Sequence, residues 1–148
     1  MKRVSILLVL LLLFVGSQTQ AGDKFSADKK AKYEKIEDNL LVGLNSDNFG
    51  LKVSSAYMLG EIKSEKAVIS LTRILRSEND ERARFTAALA LLKIGTERSI
   101  FVVKREGIFN DSEKVSKMCE HMYNAHLVNS LKLDTDTKSD SYLAHSSK

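Results

Sequence analysis

Two stretches of this chain say nearly the same thing. Residues 54–75 read SSAYMLGEIKSEKAVISLTRIL, and residues 86–103 read TAALALLKIGTERSIFVV, a return of the same phrase about 32 residues later. A repeat of that length is one supersecondary unit that cannot bury its apolar face alone, so the chain has to stack copies to make a core. Pro is absent and Gly is sparse, and apolar residues recur at spacings of three and four rather than alternating, which predicts an all-α fold.

Polar breaks fall at Ser46-Asp47-Asn48, Lys63-Ser64, Ser77 to Asp80, Gly95-Thr96 and Asn110-Asp111-Ser112. Each offers a side-chain oxygen to the free amides of a following helix. Gly95 sits where a helix ends in the left-handed region. The breaks predict helices over roughly 28–45, 49–62, 65–76, 80–94, 97–106 and 112–126, paired into three antiparallel hairpins.

The second helices align. Val53, Ala56, Tyr57 and Gly60 correspond to Phe85, Ala88, Leu89 and Leu92, and again to Val115, Met118, Cys119 and Met122. Each set has the spacing i, i+3, i+4, i+7 of one helix stripe. In the first helices, Ile36, Leu40 and Leu44 match Ala67, Leu71 and Leu75. A second stripe, Leu51, Met58 and Ile62, repeated as Ala83, Ala90 and Ile94, predicts second helices buried on two sides.

In these features the chain resembles bacterial HEAT-like repeats of the phycobilisome-lyase type, over residues 40–103. Lys52 and Arg84 precede the small-residue stripe, and Ala67-Val68 opens a first helix, as in such repeats. The resemblance implies a short α-solenoid across 28–126 that acts as a non-enzymatic protein-binding or scaffold module.

The ends read differently. Lys2 and Arg3 precede an apolar run, Val4 to Val15, and GSQTQA follows to Ala21. This layout predicts a secretory signal peptide over 1–21. The run of 12 is short of the roughly 20 residues a membrane-spanning helix needs, so no stable membrane anchor is expected after cleavage, and the protein is expected to be periplasmic or secreted. Residues 22–27 read as a linker, and 127–148 as a polar, disordered tail. Without Lys2 and Arg3 the chain has 21 basic and 19 acidic residues. That near balance argues against nucleic acid as a partner.

No nucleophile–base constellation or Gly-rich phosphate loop is present, so neither an enzyme nor a cofactor is expected. The expected partner is a protein bound by a monomer or weak oligomer. Positions not used in packing, Lys52, Ser54 and Glu61 with their equivalents Arg84, Thr86 and Lys93, are the candidate surface. Pairing of Lys52 and Arg84 with acids in the turns is the competing role. An alternative is a copper-type metal site, because Cys119, Met122 and His126 share a helix face and offer soft sulfur plus imidazole. The stronger reading of the same residues is core stripe, for Cys119 and Met122, and helix end, for His126.

Overall fold

The computed structural model describes the backbone of residues 20–146 and the side chains of residues 28–132. Among these residues the elements are α1 (Gln20–Leu44), α2 (Phe49–Glu61), a 3-10 turn (Glu65–Ala67) leading into α3 (Val68–Ser77), α4 (Glu81–Ile94), α5 (Glu97–Phe109) and α6 (Glu113–Ser146), with no strand. The chain divides within α1 into two compact units, Met1–Asp38 and Asn39–Lys148. The expected signal peptide lies outside the described residues, except that Gln20 and Ala21 begin α1.

The polar breaks work as helix caps. Asn48 Oδ1 accepts from the Leu51 amide at 3.0 Å, Asp80 Oδ1 from the Arg82 amide at 2.9 Å, and Thr96 Oγ1 from the Ser99 amide at 3.3 Å. Each satisfies one of the amides that a first helical turn leaves without a partner. The α4 helix ends at Gly95, φ 74°.

Two boundaries differ from the sequence expectation. Residues 22–27, expected as a linker, are helical backbone within α1. The stretch after 126, expected as a disordered tail, continues α6 to Ser146. The physical reason is the same at both ends. Extending a helix already nucleated costs little per residue. After Gly22 the segment has no further breaker, and after Gly107 the chain has no Gly or Pro at all.

In the unit beginning at Asn39, α4 is the hub and packs against α2, α3, α5 and α6. Its Ala83, Ala87, Ala88, Ala90, Leu91, Leu92 and Ile94 are all buried. Around it the core takes Leu44 from α1, Ala56 and Leu59 from α2, Leu71, Ile74 and Leu75 from α3, Val102 and Val103 from α5, and Val115 and Cys119 from α6. Small residues let the axes approach. A Cβ built on Gly60 would lie 2.8 Å from the Ala90 Cα, and one on Gly107 would lie 3.0 Å from the Glu120 amide nitrogen. The Leu-Gly-Glu-Ile phrase therefore carries a glycine because the backbone of α4 occupies the space of a side chain.

Burial on two sides is confined to α4. Its stripes Ala88–Leu92 and Ala83–Ala90–Ile94 are both covered, whereas Leu51 and Met58 of α2 are 50% and 43% exposed. The expectation for α2 fails because it is the first of the second helices and none precedes it in the stack. The last, α6, turns Lys117, Glu120 and Asn124 to solvent, and Ser116 Oγ donates to the Gly107 carbonyl at 2.6 Å. Ile36, expected in the first-helix stripe, is 39% exposed.

Candidate interaction surface

The six candidate surface residues separate into two groups. Lys52 and Arg84 are committed inside the stack. Lys52 Nζ reaches Glu78 Oε2 at 2.6 Å, in the turn between α3 and α4. Arg84, 7% exposed, holds three elements together. Its Nε donates to the Leu75 carbonyl at 2.8 Å and its Nη2 to the Arg76 carbonyl at 2.9 Å, capping the end of α3. The same nitrogen donates to Asn110 Oδ1 and Asp111 Oδ1, each at 2.7 Å, in the turn before α6. A guanidinium suits this place because its planar fork serves several acceptors at once, and a charge buried this far needs them. Lys52 and Arg84 are thus ladder residues rather than contact residues, which corrects their assignment to the surface. Repetition at a shift of 32 looked like a shared surface, but here it reflects a shared packing role.

Glu106, 5% exposed, extends this buried polar network. It accepts from Arg76 Nε at 2.7 Å, Asn110 Nδ2 at 3.0 Å and Arg105 Nη2 at 3.1 Å. Nothing in the sequence pattern marked it, because it occupies a core position of α5 one turn after Val102 and Val103.

The other candidates stay near the surface. Ser54 is exposed and Thr86 half-buried, with the Thr86 hydroxyl donating to the Arg82 carbonyl at 2.9 Å. Glu61 and Lys93 pair with each other across α2 and α4, and Lys93 Nζ lies 4.4 Å from the centre of the Tyr57 ring. The hydrogen bond from Lys93, then that from the Tyr57 hydroxyl, holds the Glu61 carboxyl below its usual range, and the same Glu61 bond raises Lys93. A parallel contact joins Glu81 of α4 to Lys114 of α6, with Lys114 over the Phe85 ring.

Beside these pairs an open groove of about 380 Å³ runs between α4 and α6, lined by Leu89, Leu92, Lys93, Met122, Ala125, His126 and Asn129. Tyr57 at 45% and Leu89 at 37% exposure stand on the same row of equivalent positions. Sequence periodicity placed both in the packing stripe. They are the third position of each set, which the 3.6-residue repeat turns to the edge of the stripe, toward solvent. A Tyr among small apolar positions was the available signal, since its polar tip favours a half-covered site.

The copper-type alternative does not assemble. Cys119 is 0% exposed, and burial first, then the nearby Glu106 carboxylate, pushes its thiol up to about 11. A protonated thiol in the core is a poor metal ligand, because metals bind the thiolate. Met122 and His126 instead line the groove. Residues i, i+3 and i+7 share a stripe, but this stripe is half core and half groove. Among the described residues no three His, Cys, Asp or Glu side chains gather to hold a metal ion.

Antiparallel helix pairs stacked on shared second helices, with basic residues tying each pair to the next, define an α-solenoid module. Residues 31–106, a little over half the chain, match the family model of HEAT repeats. The chain belongs to the HEAT-repeat family. No curated protein matches it. Among the described residues no helix is long and apolar enough to cross a membrane.

Proposed function

We propose that this chain is an exported, non-catalytic HEAT-repeat module that binds a protein partner through the face formed by α2, α4 and α6. One observation carries the binding role: the groove between α4 and α6 leaves Leu89, Met122 and Lys93 accessible beside Tyr57. Solenoids use the row of successive helices for binding, because side chains at equivalent positions line up across units. The mixture suits a partner segment with apolar side chains and a carboxylate. Lys93 and His126 supply donors at one side, and Leu89, Leu92 and Met122 supply apolar contact. Thr86 and Ser54 extend the row along α4 and α2, with Glu61 held by Lys93 at its end. Export rests on the basic start, the Val4–Val15 run and the small-residue approach to Ala21. The Leu-Gly-Glu-Ile phrase supports placing the repeats with the bacterial phycobilisome-lyase type.

The test is affinity capture from envelope extract with the wild-type chain and with Leu89→Asp, a position exposed enough to accept the change. The reading expects a specific protein retained by the wild type and lost with Leu89→Asp. Retention by both variants, or by neither at several salt concentrations, refutes it. N-terminal sequencing of the protein from cells reports cleavage after Ala21 separately.

A further inference from the structure

The faces that α3 and α5 turn to solvent repeat a second pattern, independent of the groove. At a shift of 32 residues, Lys66, Ile69 and Arg73 correspond to Arg98, Phe101 and Arg105. Each triplet has the spacing i, i+3, i+7, so a large apolar side chain stands one turn from a cation on either side. Ile69 is 67% exposed and Phe101 58%. Ile108, one turn beyond Arg105 on the same face, is 64% exposed. Lys104, also exposed, lies with its Nζ over the Tyr123 ring at 5.7 Å.

Cations outnumber carboxylates on this face. Arg73 donates to the neutral Asn45 side chain. Arg76 and Arg105 share the buried Glu106. The exposed carboxylates of α3 with its leading turn and of α5 are Glu65 and Glu97, both at the starts of these elements, while Glu120 of α6 borders Lys104. An isoleucine and a phenylalanine thus occupy equivalent, well-exposed positions on successive first helices. Phe101 borders an open hollow with Glu97, Lys104 and Tyr123, and Ile108 one with Lys104, Glu120 and Tyr123, while Ile69 stands between Lys66 and Arg73 on the helix surface. Cations ringing protruding apolar groups match a surface of negative headgroups over hydrocarbon.

We propose that this face docks on an anionic lipid bilayer, with Ile69, Phe101 and Ile108 entering the headgroup region and Arg73, Arg98 and Lys104 meeting lipid phosphates. Bilayer docking by α3 and α5 leaves the α2–α4–α6 face available to a protein partner.

The chain has no tryptophan, so a single introduced one reports its own surroundings. The full-length chain carries Phe101→Trp, or Met58→Trp on the exposed side of α2. Each is mixed with phosphatidylcholine vesicles with or without 30% phosphatidylglycerol, which is anionic. The Val4–Val15 run can itself attach the chain to a vesicle, so the readout is the environment of each tryptophan, not attachment. The proposal expects a blue shift of Phe101→Trp fluorescence, and its quenching by brominated lipid, on anionic vesicles only. Met58→Trp stays unshifted. Adding Arg98→Gln and Lys104→Gln to the Phe101→Trp chain should weaken the response about five-fold for each cation removed at low salt. Circular dichroism checks that each variant keeps its helices. No shift at position 101 with any vesicle overturns the proposal and leaves this face for an acidic protein surface. An equal shift on neutral vesicles, or a shift of Met58→Trp as large as that at 101, overturns it as well.

Discussion

Lys63 and Gly95, 32 residues apart, hold the same left-handed backbone conformation at the ends of equivalent helices, with φ of 53° and 74°. After α2 the Lys63 amide donates to the Gly60 carbonyl at 3.1 Å and the Ser64 amide to the Leu59 carbonyl at 2.9 Å. This is the paired closure that satisfies carbonyls left open at a helix end. The second repeat fills the position with the residue suited to it. The first fills it with a lysine, whose Cβ crowds the following carbonyl.

Replacing Lys63 with Gly should therefore stabilise the stack by about 1 kcal/mol, because relief of the left-handed strain outweighs the extra chain entropy of glycine. Gly95→Ala should destabilise by about the same amount. Urea midpoints of the two variants, at unchanged slope, check both. A lower midpoint for Lys63→Gly would contradict the shared-position reading.

Two glycines of α2 should respond oppositely to alanine. A Cβ on Gly60 meets the Ala90 Cα at 2.8 Å, a backbone atom that cannot rotate aside. Gly60→Ala should cost about 1–3 kcal/mol by overpacking. A Cβ on Gly50 meets only the Asn48 side chain, at 3.4 Å, so Gly50→Ala should gain about 0.5–1 kcal/mol from reduced chain entropy. Thermal unfolding of both variants, followed by far-ultraviolet circular dichroism, reads the difference in sign.

The two ladder cations should differ in weight. Arg84→Met strands the Leu75 and Arg76 carbonyls at the end of α3 and releases the turn before α6, and about 3 kcal/mol should be lost. Lys52→Met removes a single ion pair that is partly open to water, and about 1 kcal/mol or less should be lost. Arg84→Lys should recover only part of the loss, since an ammonium cannot reproduce the fork. Equal effects at 52 and 84 would mean that Arg84 acts as a charge alone.

The Cys119 thiol should be silent in the native protein and reactive on unfolding. Its folded value near 11 lies above the unfolded value of 9.0. Between pH 9 and 11 the unfolded chain therefore loses a proton that the folded chain keeps. By linkage, stability should fall as pH rises through that window and be unaffected by this group below it. The carboxyl of Asp111, lowered first by its hydrogen bond from Arg84, works in the opposite sense. Its contribution is present above pH 3.8 and is lost as acid protonates it. Thiol labelling rates at pH 8 with and without urea, and urea midpoints at pH 8 and 10 for wild type and Cys119→Ala, test the alkaline arm. Fast labelling of the native chain would reopen the metal reading.

The sequence alone determined the helices, their order and their repeat. Ser, Asp, Asn and Thr at the breaks bind the first amides of the following helix, and a 3.6-residue apolar period identifies a stripe without knowledge of its neighbour. Local chemistry of this kind is carried by residues a few positions apart. Where a helix stops is less local. With no breaker after Gly107, α6 runs on beyond the apolar stripe, and the loss of periodicity at 127 was no sign of its end. Only the tertiary structure decided which equivalent positions are surface. Arg84 and Lys93 read alike as exposed basic residues of α4. The first is drawn inward by the open carbonyls of α3 and the turn at Asn110, while the second stays at the edge with Glu61 and Tyr57. Cys119 and Met122 belong to one stripe, yet one lies in the core and the other in a groove. Those outcomes depend on what the adjoining helix presents at contact distance, and the neighbour of a helix face is set by packing across the stack, not by the residues beside it in the chain.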